Sequence, residues 1–224
     1  LPIIDTTPIV KKGKTALIIV DVQNDFLPGG SLPVMYHKHN GGTSECDMMI
    51  NSINELIISD LFDYYIFTQD AHPQNHVSFA SSHNGKDPFD VIEMSISNHI
   101  PNHIPNHALH NNNVLKYSQV LWPDHCVIHD TNVHNTNKYS SRDGISLSDK
   151  LILPVKPDCW KELSGKMINN EIVHCKDITA KCNILANDKE YNNDERQSRL
   201  MESLLKKSYI IWKGCNKNVD SYSA

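Results

Sequence analysis

Asp70 and His72, separated by Ala71, close the apolar run Tyr64-Tyr65-Ile66-Phe67-Thr68. A carboxylate and an imidazole two residues apart on a strand exit point the same way and can chelate one divalent ion. His125, which follows Trp122-Pro123-Asp124, offers a third ligand from another loop. Two nitrogens and one carboxylate leave coordination positions for water or substrate, the pattern of a catalytic ion. Zinc suits such a set, with iron and manganese as alternatives. Two further apolar runs end in ionisable residues: Ala16-Leu17-Ile18-Ile19-Val20 at Asp21, and Ser208-Tyr209-Ile210-Ile211-Trp212 at Lys213. Charged residues often mark strand ends without function. In an open parallel sheet, however, ligands bind outside the carboxyl ends of the strands, so Asp21, Asp70 and Lys213 would converge on one crevice.

These runs must be strands for that to hold. Short unbroken apolar segments of this kind read as strands buried on both faces of a parallel sheet. Between the first two, Thr43-Ser44 with Glu45 and Asp47 makes a helix start, and Met49, Ile50, Ile53, Leu56 and Ile57 recur at helical spacing. Strand, helix, strand is a βαβ unit, so the fold is α/β. Arg196 to Lys207 reads as a helix with Leu200, Leu204 and Leu205 on one face, leading into the third strand. Val120 to Val127 is again well patterned. Two stretches break the pattern. Asn98-His99-Ile100-Pro101 repeats as Asn102-His103-Ile104-Pro105 and decays into Asn106-His107-Ala108-Leu109. Proline at every fourth residue forbids a regular helix, so 98–113 reads as a low-complexity insertion rather than a metal site. Residues 129–195 are rich in Asn, Lys, Asp and Ser, with apolar patches such as Leu151-Ile152-Leu153, and read as a second insertion. The whole, 1–224, is taken as one domain.

Composition narrows the function classes. Lys plus Arg is 21 against 26 Asp plus Glu, a net charge of -5, so no basic excess exists to neutralise nucleic-acid phosphates. No apolar run approaches the ~20 residues of a membrane-spanning helix. The start Leu1-Pro2-Ile3-Ile4-Asp5 has no secretory character, and the six cysteines form no CxxC pair. Free thiols in the cytoplasm are the expectation, with the nucleus as an alternative. The expected partner is a small molecule; a homo-oligomer is left open.

Four segments carry a resemblance. Ala16-Leu17-Ile18-Ile19-Val20-Asp21-Val22-Gln23-Asn24-Asp25-Phe26 resembles the opening strand of the nicotinamidases of the isochorismatase-like cysteine hydrolase superfamily. Thr68-Gln69-Asp70-Ala71-His72-Pro73-Gln74-Asn75-His76-Val77-Ser78-Phe79 is similar to that family's metal loop, and Leu121-Trp122-Pro123-Asp124-His125-Cys126-Val127 to its next motif. Ile211-Trp212-Lys213-Gly214 with Val219-Asp220-Ser221-Tyr222-Ser223-Ala224 resembles its lysine strand. The resemblance implies a three-layer fold, a parallel sheet with helices on both faces. It implies hydrolysis of nicotinamide to nicotinate and ammonia in NAD salvage, through a cysteine thioester. Asp21 would be the general base, Lys213 the neighbouring cation, and Asp70, His72 and His125 the metal ligands. Phe26, Trp122 and Tyr222 would be aromatic pocket walls, core packing being the alternative. The family's nucleophile lies well beyond the lysine, whereas this sequence ends at Ala224, and none of its cysteines matches that position. This chain is therefore expected to be inactive alone. The remaining alternatives are an amidase acting on a carbamoyl or ureido substrate, and a non-catalytic binding homologue. Isochorismatases proper lack the metal motif.

Overall fold

A computed structural model describes residues 13–34, 43–97, 114–128, 144–153, 173–174, 195–216 and 218. The elements are β1 (Ala16–Val20), α1 (Thr43–Ile58), β2 (Tyr64–Asp70), β3 (Val91–Ser97), β4 (Val114–Val120), β5 (Val173–His174), α2 (Glu195–Lys207) and β6 (Ser208–Lys213). They form an α/β fold. Four strands make one sheet in the order β1-β2-β6-β5, and β3 with β4 makes a separate antiparallel pair. β1, β2 and β6 are parallel, with Val20 opposite Thr68 and Asp70 opposite Lys213. That register places Asp21, Asp70 and Lys213 at one edge of the sheet, as the sequence implied. The short edge strand β5 is antiparallel to β6.

Side chains alternate across the strands, so one residue in two faces the core. Ile19, Tyr65, Phe67, Ile210 and Trp212 share a face and pack with Ile50 and Ile57 of α1 and Leu204 of α2. In α1, Cys46, Ile50 and Ile57 fall on the buried stripe that helical periodicity requires. The helix ends at Ile58, and Asp60, with φ +46°, turns the chain out of the helical path. The Asp60 carboxylate then accepts hydrogen bonds from Ser203 Oγ at 3.0 Å and Lys207 Nζ at 2.9 Å, tying the end of α1 to α2.

Three expectations change. The apolar run of β1 predicts burial on both faces, but Ile18 is 58% and Val20 62% exposed; among the described residues, the buried residues of both helices join the cluster on the opposite face. The antiparallel strands β3 and β4 have no counterpart among the expected elements, because the compositional break at 98–113 falls between them; Val91 pairs with Val120 and Ser97 with Val114. Residues 98–113 themselves lie outside the described residues. Finally, 144–153 falls within the stretch expected as an insertion, yet Ile145, Leu147, Leu151 and Leu153 are built into the core. Among the described residues, no helix is long and apolar enough to cross a membrane.

Candidate active site

At the carboxyl edge of the sheet, Lys213 stands between two carboxylates. Its Nζ lies 2.9 Å from Asp21 Oδ2 and forms a short ion pair with Asp70 Oδ1. Thr68 Oγ1 donates to Asp21 Oδ1 at 2.7 Å, so both oxygens of Asp21 are engaged. Asp21 has φ +50°, a left-handed conformation that carboxylate residues tolerate better than most and that aims its side chain across the strand ends. Burial alone would pull the Lys213 pKa down, but the two carboxylates outweigh it and hold the ammonium above the ordinary lysine value. Burial pushes Asp70 upward, with Lys213 opposing.

The second oxygen of Asp70 faces two imidazoles. His72 Nε2 is 3.8 Å and His125 Nε2 3.9 Å from Asp70 Oδ2, and one ligand atom from each of the three residues lies within 4.8 Å of the others. All three side chains are buried. The outer nitrogen of each ring is fixed: His72 Nδ1 meets the Gly214 carbonyl at 3.0 Å, and His125 Nδ1 meets the Pro123 carbonyl at 2.7 Å. A carbonyl can only accept, so each Nδ1 carries its proton and each Nε2 presents a lone pair toward Asp70. Burial, then the nearby His125 and His76, lowers the His72 pKa to about 3, which keeps it the neutral imidazole a metal requires. Atoms held about 2.1 Å from a tetrahedral ion stand about 3.4 Å apart, so this donor set fits a zinc-like ion with a small contraction.

Aromatic rings pack around the histidines. Phe26 lies 5.6 Å from His125, and Phe79 lies 5.4 Å from His72 and 5.5 Å from His125, between ring centroids. The Trp122 ring meets Phe89 at 5.9 Å, while its backbone pairs with that of Phe79. Tyr222 lies outside the described residues. His76, in the same loop as His72, is fully buried with its ring 4.4 Å from His72. Its nitrogens are bonded to Ser78 Oγ and the Asn216 carbonyl, at 2.7 and 3.0 Å.

Sequence reasoning also missed the frame behind the ligands. Gln23, Gln69, Asp25 and residues 144–148 interlock beneath them. The Nε2 groups of Gln23 and Gln69 both donate to the Ile145 carbonyl, at 2.7 and 3.0 Å, and Trp212 Nε1 donates to Gln69 Oε1 at 2.9 Å. Ser148 N–H donates to the Val22 carbonyl and Asn24 N–H to the Ser146 carbonyl. The run of polar residues at strand ends, Gln23, Asp25 and Gln69, was the available signal. Among the described residues, Cys126 and Cys215 are free thiols. Cys126 Sγ faces the Gly144 carbonyl and Cys215 Sγ the Lys213 carbonyl. Burial raises Cys126 well above the ordinary thiol value and Cys215 to about 11.

The α/β sheet carries a lysine–carboxylate cluster and an Asp-His-His set at its carboxyl edge. The matching half of the chain is homologous to nicotinamidases. It is 42% identical over 112 residues to the nicotinamidase of Acinetobacter baylyi, and 35% identical over 115 residues to that of Schizosaccharomyces pombe. Each alignment takes in 50% of this chain but only 38% and 41% of those relatives, so the chain spans about two fifths of their length. A solved nicotinamidase from Acinetobacter baumanii is 32% identical, with a TM-score of 0.40, over 64% of this chain and 49% of that one. No family model matches.

Proposed function

We propose that this chain carries the metal-binding and proton-transfer part of a nicotinamidase, an enzyme hydrolysing nicotinamide to nicotinate and ammonia. The observation that carries the reading is the joint placement of Asp21, Lys213, Asp70, His72 and His125 at one sheet edge, in a chain half of which is homologous to nicotinamidases. Asp70, His72 and His125 would hold one divalent ion, zinc by preference. Such an ion supplies a Lewis-acid site that orients a heteroaromatic substrate.

Asp21 accepts the proton of the attacking thiol. The thiolate adds to the carboxamide carbon, and Asp21 then delivers that proton to the departing nitrogen, releasing ammonia and leaving a thioester. Water next attacks the thioester, its proton passing to Asp21 and on to the thiol, and nicotinate is freed. Lys213 pairs with Asp21 through the 2.9 Å contact and sets a positive charge beside the proton-transfer site. Phe26, beside His125, walls the pocket, and Trp122 and Tyr222 are assigned the same task. Cys126 and Cys215 face backbone carbonyls, so neither is assigned as the nucleophile, and the 224-residue chain alone is expected to be inactive. The test is ammonia release from nicotinamide. The prediction is none from this chain and robust turnover from a protein that supplies a nucleophilic cysteine beside Asp21. Robust turnover by the chain itself would overturn the assignment.

A further inference from the structure

Two side chains of the loop after β1 each grip the backbone of a different metal-ligand arm. The buried Gln23 carboxamide spans Asp70: Oε1 accepts the Asp70 N–H at 2.8 Å, and Nε2 donates to the Asp70 carbonyl at 2.8 Å. The other Nε2 hydrogen goes to the Ile145 carbonyl. Both donors and the acceptor are therefore used, and the carboxamide leaves Asp70 little freedom to rotate. The buried Asp25 does the same for the other arm. Its Oδ2 accepts the N–H of Cys126 at 2.6 Å and its Oδ1 that of Ser31 at 3.1 Å. Cys126 directly follows His125 and has φ +46°, a conformation that costs roughly 1–2 kcal/mol without glycine and persists only where neighbours impose it. Gly144 lies against the same carboxylate, where a Cβ would overlap it. The arms are also joined to each other, His72 N–H donating to the Cys126 carbonyl at 2.9 Å and Ile128 N–H to the His72 carbonyl at 2.7 Å.

We propose that Gln23 and Asp25 are paired positioning residues that set Asp70 and His125 as metal ligands through their backbones. The inference rests on the metal-centre reading above. It predicts that loss of either grip weakens the ion, because support of a ligand from behind is worth roughly 10–100-fold in metal affinity.

The test uses the purified protein with zinc as probe, affinity measured by chelator competition, and cobalt(II) absorption at saturation as the report of ligand geometry. Gln23→Met and Asp25→Asn should bind zinc roughly 10–100-fold more weakly and shift the cobalt spectrum. Gln23→Glu, which keeps the acceptor for Asp70 N–H, serves if Gln23→Met does not fold. Leu204→Ala, which opens the core away from the site, should keep the wild-type affinity and spectrum. His72→Ala should lose stoichiometric zinc. Wild-type affinity and spectrum in the Gln23 and Asp25 variants, with His72→Ala inactive in binding, would overturn the positioning role alone. An equal shift in Leu204→Ala would overturn it too, as general loosening. If His72→Ala binds zinc like the wild type, the metal centre itself is misassigned and the inference falls with it.

Discussion

A side chain on Gly214 would occupy the space of the His72 imidazole. The glycine has φ +76°, its carbonyl anchors His72 Nδ1, and a Cβ there would overlap the ring atoms. Gly214→Ala should therefore displace His72 and weaken zinc binding by at least roughly 10-fold, since it disturbs a ligand and its support together. Gly85→Ala is the matched comparison. It also has positive φ, +70°, but meets nothing within 4 Å, so it carries the conformational cost without the clash. Elemental analysis of both variants after dialysis against limiting zinc should show loss only in Gly214→Ala.

Lys213 neutralises two carboxylates at once, so its removal should cost more than a surface ion pair. It is 7% exposed. Lys213→Met keeps the aliphatic volume and leaves Asp21 and Asp70 facing each other without a cation. Breaking a buried pair in this way costs about 3–5 kcal/mol. Urea unfolding at neutral pH should show a loss of that order. The loss should shrink at acidic pH, where the buried Asp70, whose carboxyl burial pushes upward, takes up a proton and the repulsion is relieved. A midpoint unchanged at neutral pH would show that the cluster does not stabilise the fold.

The parallel strands and both helices were legible because local pattern and tertiary role agree: apolar runs became strands, and helical stripes met the core. Asp21, Asp70 and Lys213 were legible because strand ends converge in a parallel sheet. What was not legible depends on contacts between residues far apart in sequence. Gln23 holds Ile145 across 122 positions, and Asp25 holds Cys126 across 101. Nothing local marks Ile145 as a neighbour of the site. The polar composition around 144–153 concealed a core segment in which Ile145, Leu147, Leu151 and Leu153 are buried. Leu147 is 1% exposed, so Leu147→Ala should cost about 2–5 kcal/mol in chemical denaturation. A solvated insertion would give a change near zero.

His72 sets an acid limit on the metal-free fold. Its folded pKa, about 3, lies below the 6.5 of the unfolded chain, and burial is the main cause. Between those values the unfolded chain binds a proton that the folded chain refuses. Stability therefore rises with pH across this window, is fully present above about 6.5, and is lost as the pH falls toward 3. His72→Gln removes this titration while keeping a polar side chain. In chelator-treated protein, unfolding free energies at pH 7, 5 and 4 should fall more steeply for the wild type than for His72→Gln, so the gap between them narrows on acidification. The carboxylates titrate in both proteins and cancel in the comparison. Parallel losses in the two proteins would mean that His72 is protonated as readily folded as unfolded, and that its ring is not sealed against Asp70 as described.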